Sequence, residues 1–553
     1  MFNDNHTKLL SASWRWNPSP WFTNELRGGF NLAPVIFDTT EKFADFVIGG
    51  PLYANPVNTF RLQGRNTDTF NLHNNSSFVR GRHSFQFGFH HQGIRVEPFN
   101  EAGITPTYTL GTGTGNPSLT GSHLPGIGST DLAAANNLLA TLAGYLTSYT
   151  QTFNVKDRTS GFVNGAANVR NWILDNYAGY FSDTWKTLPR LTLNLGLRYD
   201  LFTVVDERDG LALLPQPLGG NHITTLLSSG TLDFAGSVVD RPFYKSDRNN
   251  FAPNAGLAWD VFGNGRTALR AGYSVNFVND EMVVAVAGNL GANGGLAQAV
   301  TASGLRARVS TSLPQIPVPV FRVPRTFNDN FSLNRQTGFN MPDPNLRTPY
   351  VQQWTFGIQH DWKGFVIEAR YVGNHGTKLY RGVDYNQVRI HDFGFFEDFM
   401  RARNNGNLAR AATGVFNPDF NPNIPGSQRL TVFPLLGAGG SLGTATIRNL
   451  IDQGQVGDLA STYQIQGQNG PFSFFPNALA LATTSLSNYS NSTYNALQID
   501  VRSRARGPSV PVQLHVLEGT ERRSRGLGKC LPEPHRSFPR RKESQDRACP
   551  RAV

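Results

Sequence analysis

The sequence predicts an all-β fold, an antiparallel transmembrane β-barrel present in part, with short turns at one end and long loops at the other. Apolar and polar residues alternate over segments of ten residues or more, as in strands with one apolar and one polar face. Turns of two to four residues alternate with long connections rich in Gly, Asn, Pro and Ser, as in outer-membrane barrels. The 553 residues are 16% charged and 11% aromatic, which does not suit an ordinary soluble globule.

The alternating segments group into five hairpins and one final strand, which makes about eleven strands. In chain order, the hairpins cover residues 7–16 with 21–32, the two segments around the turn Arg80–His83, 172–186 with 191–201, 250–262 with 267–277, and 350–362 with 365–371. The final strand covers Ser492–Arg502. The connections between hairpins are long, so we expect loops gathered at one end of the barrel.

The segment Leu191–Leu201 shows the alternation most clearly. Five leucines and Tyr199 occupy every second position, with Thr192, Arg198 and Asp200 among the residues between them. A strand of this length can cross a membrane at a tilt, whereas an average soluble strand has about five or six residues. A large soluble all-β protein, such as a propeller or a set of sandwiches, would explain the alternation equally well. It would explain the strand length and the unequal connections less well.

Charged side chains on the polar faces of the predicted strands are candidate lumen-facing residues. They are Arg198, Asp200, Arg270, Glu368 and Arg370. We expect Arg198 to pair with Asp200 and Glu368 with Arg370, which suits a wet lumen better than a packed core. These charges are candidates for guiding a ligand. The alternative is that they only neutralise one another.

Aromatic residues in the long connections are candidates for ligand contacts at the outer rim. The set includes Tyr108, Phe393, Phe395 and Phe474. The alternative is that these side chains pack the loops against one another, which is the common use of aromatic residues in folded loops.

The sequence predicts no catalytic, metal or cofactor site. His90 and His91 are adjacent on a predicted strand, so they face opposite sides and cannot hold one ion together. No Gly-rich loop follows a strand and opens a helix, as a phosphate-binding loop requires, and no nucleophile motif is present. We therefore expect a protein that is not an enzyme and binds no nucleic acid.

Residues 507–553 differ in character from residues 1–506. They are dense in charge, rich in proline, and hold both cysteines, Cys530 and Cys549. We expect residues 1–506 to form the partial barrel, and residues 507–553 to be a basic tail that is out of frame or disordered. The alternative is a basic interaction arm.

Several segments resemble the barrel of TonB-dependent receptors, and within that family the Oar-like subgroup. They occur in the family's order, as Gly81–Gln92, Asn171–Asp200, Asn249–Tyr273, Thr348–Leu379 and Asn491–Arg504. The resemblance implies a transporter of the Gram-negative outer membrane whose barrel of about 22 strands surrounds an N-terminal plug. It also implies ligand uptake or export driven by the TonB energy-coupling complex, without covalent chemistry.

The sequence departs from that family at both ends. Predicted strands begin within the first sixteen residues, so we expect a fragment without the plug, unable to transport alone. The expected partners are outer-membrane lipid, an unknown ligand, and the TonB complex through the plug that this chain lacks. Two other functions remain open: a structural or adhesive outer-membrane β-barrel, and a secreted soluble all-β carbohydrate-binding protein.

Overall fold

The computed structural model describes residues 2–40, 45–54, 59–113, 115–219, 221–279, 281–503 and 512–520. Its largest element is a 17-stranded sheet. Twelve of these strands form an antiparallel meander in which each strand pairs with its neighbours in the chain. They are β1 (Lys8–Ser19), β2 (Phe22–Leu32), β3 (Gln63–Arg80), β4 (His83–Asn100), β5 (Trp172–Leu188), β6 (Leu191–Phe202), β7 (Asn250–Asp260), β8 (Thr267–Phe277), β9 (Tyr350–Trp362), β10 (Phe365–Asp384), β11 (Ala482–Ser503) and β12 (Val512–Thr520).

The five predicted hairpins and the final predicted strand are confirmed. The turn between β9 and β10 shows why tight reversals are possible: Lys363 and Gly364 have φ of 50° and 86°, as a two-residue hairpin turn of type I′ requires. One strand was not predicted: β12 lies beyond residue 507, in the segment assigned to the tail, although Val512, Leu514 and Val516 alternate there with polar residues. Residues 504–511 and 521–553 lie outside the described residues, so the boundary at 507 and the character of the tail stay predictions.

The apolar face of the meander is exposed. Leu195 and Leu197 on β6 are each 48% exposed, and the register places Leu197 beside Phe181 of β5, which in turn lies beside Phe87 of β4. Both aromatic rings are exposed as well. A soluble sandwich would bury such a face under a second sheet. Exposed aliphatic and aromatic side chains in register across many strands are the arrangement of a lipid-facing surface.

Several polar side chains on this apolar face pair with one another. The register places Asn24 and Ser76 beside each other, in line with Phe87. The Asn24 Nδ2 donates to Ser76 Oγ at 2.8 Å and to Asn74 Oδ1 at 3.2 Å. Asp183 also lies on this face, and one of its carboxylate oxygens is 2.6 Å from His83 Nδ1. Such pairing lowers the cost of placing polar groups against hydrocarbon.

The long connections fold into structures that the sequence did not predict. They contain a five-stranded sheet, with strands Val47–Gly49, Thr107–Leu110, Tyr145–Val155, Phe162–Val163 and Ala297–Arg308, and a three-stranded sheet, with strands Ala212–Pro215, Thr231–Ala235 and Arg325–Thr326. Their described residues also form seven α-helices: α1 (Ser129–Ala143), α2 (His222–Leu226), α3 (Met282–Gly291), α4 (Phe327–Leu333), α5 (Phe395–Thr413), α6 (Ala445–Asp452) and α7 (Val456–Gln466). In the described part of the chain, no helix is both long enough and apolar enough to cross a membrane.

Five short strands lie at the margins of the meander and complete the largest sheet. Gly338–Pro342 pairs with β11 in parallel, while Phe2–Asp4, Val35–Asp38, Asn168–Val169 and Asp206–Glu207 pair in antiparallel fashion. The buried hydrophobic cores lie in the loops. One core joins the start of β5 and part of β11 to residues of four connections, and another holds α5, α6 and α7 together. The strands therefore carry a folded cap at their loop ends.

Candidate functional site

The five predicted lumen-facing residues share the polar face of the sheet. Arg198 is opposite Ala252 and Arg270 is opposite Ala258, two positions on the same face of β7. Arg270 lies in line with Gly357 and Arg370. The placement of these side chains agrees with the sequence, while their role towards a ligand stays a prediction.

The structure divides these five residues into two groups. Asp200 is buried and its carboxylate is 2.9 Å from the Arg198 guanidinium, so this predicted pair forms. Arg270, Glu368 and Arg370 instead line a separate cavity of about 160 Å³.

The predicted pair between Glu368 and Arg370 does not form. The Arg370 guanidinium donates to Gln498 Oε1 of β11 at 2.6 Å and 3.1 Å. The reason is the residue opposite: Arg370 lies directly opposite Gln498, which offers an acceptor, whereas Arg198 lies opposite Ala252, which offers none. Directly opposed side chains on one face of a sheet are closer than residues two positions apart on one strand.

His90 and His91 point to opposite faces, as predicted. His90 lies opposite Ala178 on the polar face, and its ring stacks on that of His73, with centroids 4.0 Å apart. His91 lies opposite Tyr177 on the other face, where its Nε2 is 3.2 Å from Asp175. Among the described residues, no group of three or more His, Cys, Asp or Glu side chains could hold a metal ion.

The four aromatic residues of the loops that were predicted to contact a ligand differ in how exposed their side chains are. Tyr108, Phe395 and Phe474 are buried, and the Tyr108 hydroxyl donates to the Pro314 carbonyl at 2.8 Å. Burial raises the pKa of the Tyr108 phenol. These three side chains pack the loops together, which is the alternative that the sequence left open. Phe393 is 51% exposed and stays a candidate for ligand contact.

A cavity of about 750 Å³ lies between the loop ends of β3 and β4 and the core of the cap. Its walls come from the strand ends, from the segment before β5, and from the residues that follow α3. Apolar side chains line much of it, including Phe37, Phe99, Trp172, Leu213 and Leu290. Pockets of this size with a few polar groups are typical of small-molecule sites.

Two arginines, Arg65 and Arg170, are the charged side chains among the residues that line this cavity, and no acidic side chain is among them. Arg170 is half-buried, and its Nη1 donates to the Val169 carbonyl at 2.5 Å. Burial lowers the pKa of Arg170, while the charge of Glu207 acts in the opposite direction. The Glu207 carboxylate itself accepts the backbone N–H groups of Asn171 and Leu211. Positive charge in the cavity is therefore left incompletely neutralised.

Asn293 fixes the glycine-rich wall of the cavity. Its Nδ2 donates to the carbonyls of Leu213 and Asn340, both at 2.8 Å, and its Oδ1 accepts the N–H of Asn340 at 2.7 Å. Gly295 has a φ of 141°, and a Cβ there would be 2.7 Å from Leu213 Cδ1 and Arg325 Cδ. The wall is thus held by hydrogen bonds and by a close approach that only glycine permits.

Sequence reasoning missed this cavity. Arg65 and Arg170 are far apart in the chain, and neither belongs to a motif. The segment Gly291–Gly295 reads only as a loop. The one available signal was the position of each arginine near the loop end of a predicted strand, a feature that other arginines of the chain share.

The chain matches the family described as "Outer membrane beta barrel domain" over residues 2–512. No curated protein matches it. Among solved structures, it is similar to the outer membrane transporter YddB from Escherichia coli, at 11% identity and a TM-score of 0.41, covering 94% of this chain and 43% of that one.

A second similar structure is a mutant of the ferric enterobactin receptor from Pseudomonas aeruginosa, at 10% identity and a TM-score of 0.33, covering 93% and 51% of the two chains. A third is the copper transporter OprC, at 9% identity and a TM-score of 0.37, covering 94% and 48%. The chain thus spans about half the length of these structures. The family match covers nearly the whole described meander, and this chain belongs to the outer membrane β-barrel domain family, whose place is the outer membrane.

Proposed function

We propose that this chain forms part of the barrel of an Oar-like TonB-dependent receptor, which carries a ligand across the outer membrane. The observation that supports the proposal best is the large cavity under the folded cap, at the loop ends of membrane-spanning strands. A barrel that served only as a structural element would not need such a cavity. The resemblance of five sequence segments to that receptor family supports the same function.

One edge of the described sheet, at β1, affects how the protein would work. Among the described residues, β1 pairs with β2 alone, so its other edge has no partner strand. Lipid does not tolerate an unpaired strand edge. We therefore expect further strands to close the barrel, and a plug that contacts the TonB complex to be supplied from outside the described residues. The described sheet alone is not expected to transport.

The proposal predicts that uptake depends on both this protein and the TonB complex. We would compare the compounds that remain in spent growth medium after culture of the parent strain, a strain lacking the gene for this protein, and a strain lacking TonB. The expected result is that one compound or class is depleted by the parent strain and retained by both deletion strains.

Two outcomes would contradict the proposal. Identical media from all three strains, together with loss of surface attachment in the strain lacking this protein, would favour an adhesive barrel. Depletion that needs the protein but not TonB would favour a passive pore.

A further inference from the structure

We propose that the cavity between the strand ends and the cap binds an amphipathic anion, that is, a carboxylate, phosphate or sulfonate group attached to an apolar or aromatic body. This inference rests on the proposed function, because it names the class of ligand that the receptor would take. The two parts of the ligand follow from two different features of the cavity, its charge and its apolar walls.

The charge of the cavity requires an anion. Arg65 and Arg170 both line the cavity, and within the described residues neither guanidinium forms an ion pair. Arg170 is half-buried, and within the described residues its guanidinium donates to one group, the Val169 carbonyl. The nearby Glu207 carboxylate attracts it without forming an ion pair and accepts two backbone N–H groups instead. A partly desolvated cation without an ion pair is unfavourable, and an oxyanion placed against it forms charge-assisted hydrogen bonds. A neutral or cationic ligand would leave that charge unmatched.

The walls require an apolar body. Trp172 and Leu213 belong to the buried core of the cap and present their remaining surface to the cavity. Phe37 and Phe99 line it from the side of the strands. Planar and aliphatic surfaces of this kind favour an aromatic or hydrocarbon group, which leaves water on binding. A small inorganic anion would contact the arginines but would leave the apolar walls in contact with water.

The wall opposite the strands is already in place before any ligand binds. Asn293 uses both ends of its amide on three backbone groups, which fixes Asn293 and its neighbour Gly294. The Gly294 carbonyl also accepts a hydrogen bond from Asn330 Nδ2 at 2.9 Å. A cavity whose walls are held in this way loses little conformational freedom when it binds.

The test uses two probes that differ mainly in charge, 2-naphthalenesulfonate and the neutral 2-naphthalenesulfonamide. Binding to the full chain in detergent micelles would be measured by calorimetry, with empty micelles as the blank. We expect the sulfonate to bind at least about tenfold more tightly than the sulfonamide. The variants R170Q and R65Q should each reduce that preference, and R170Q should reduce it more because Arg170 is the more buried of the two.

A matched control is R306Q, since Arg306 is an exposed arginine near the far end of the strand Ala297–Arg308 and lines a different cavity. It should leave the preference unchanged. Equal binding of the two probes to the unaltered chain would overturn the proposal without any variant, as would loss of the preference in R306Q. The calorimetric test does not depend on energy coupling by TonB. If the chain prefers the sulfonate but the spent media show no TonB-dependent depletion, the ligand class stands and the transport proposal is refuted.

Discussion

Replacing Asp398 by alanine will unfold the helical part of the cap that contains α5, α6 and α7, while the twelve-stranded meander stays folded. Asp398 is completely buried. Its carboxylate accepts the backbone N–H groups of Thr431, Val432 and Phe433 at 2.7–3.0 Å, and the Arg401 guanidinium at 3.2 Å. Alanine would leave two buried N–H donors, of Val432 and Phe433, the partly buried N–H of Thr431 and one cation without their acceptor.

Removal of one side of such a network costs about 3–5 kcal/mol. That is a large part of the free energy that stabilises a small folded unit. Amide hydrogen exchange, read peptide by peptide, is the measurement. Peptides from residues 395–475 should lose protection in D398A, whereas peptides from β5 and β6 should keep theirs.

The control for Asp398 is its neighbour Glu397, which has the same charge and is exposed in the first turn of α5. E397A should exchange like the unaltered protein. Unchanged protection in D398A would mean that Asp398 does not hold the segment 431–433 against α5.

Replacing Leu195 by arginine will prevent stable insertion into a membrane. Leu195 lies in the middle of β6 on the exposed apolar face, next to leucines at positions 193 and 197. Arginine on the lipid-facing side near the centre of the membrane costs about 2–4 kcal/mol. Folding into vesicles of the receptor that includes this chain and the strands that close its barrel, followed by the shift in gel mobility on heating, would measure the loss of inserted protein.

The matched control is N194R, one residue away on the polar face of the same strand. Asn194 is also exposed, so both changes place the same charged side chain on an exposed site. If the sheet were soluble, the two variants would behave alike. The prediction is that N194R inserts and L195R does not, and equal insertion of both would contradict the lipid-facing assignment.

The strands could be predicted from sequence because their pattern is local. The alternation in Leu191–Leu201 requires no knowledge of the partner strand, and the same rule placed His90 and His91 on opposite faces. The alternation along β5 also places Asp183 on the apolar face, because it lies an even number of residues from Phe181. Its partner His83, which makes that placement tolerable, is one hundred residues away in the chain. Register between strands and pairing across them therefore needed the structure.

The cap could not be predicted, because contacts between distant segments build it. Helix α5 contains the polar run Arg401–Asn407, and the buried surface of the helix forms against residues around Phe433 and Tyr463. The aromatic residues of the loops were recognised, but exposure of Phe393 and burial of Phe395 depend on this packing. The arginines of the cavity were missed for the same reason.

One face of the meander contacts lipid and the other contacts water, and site-directed spin labelling along β6 measures this difference residue by residue. After both native cysteines, Cys530 and Cys549, are changed to serine, single cysteines at positions 192–198 would carry the label in lipid bilayers. We expect collisions with oxygen to peak at 193, 195 and 197, and collisions with a water-soluble nickel chelate to peak at 192, 194, 196 and 198. Equal access of the nickel chelate to both sets of positions would contradict the account.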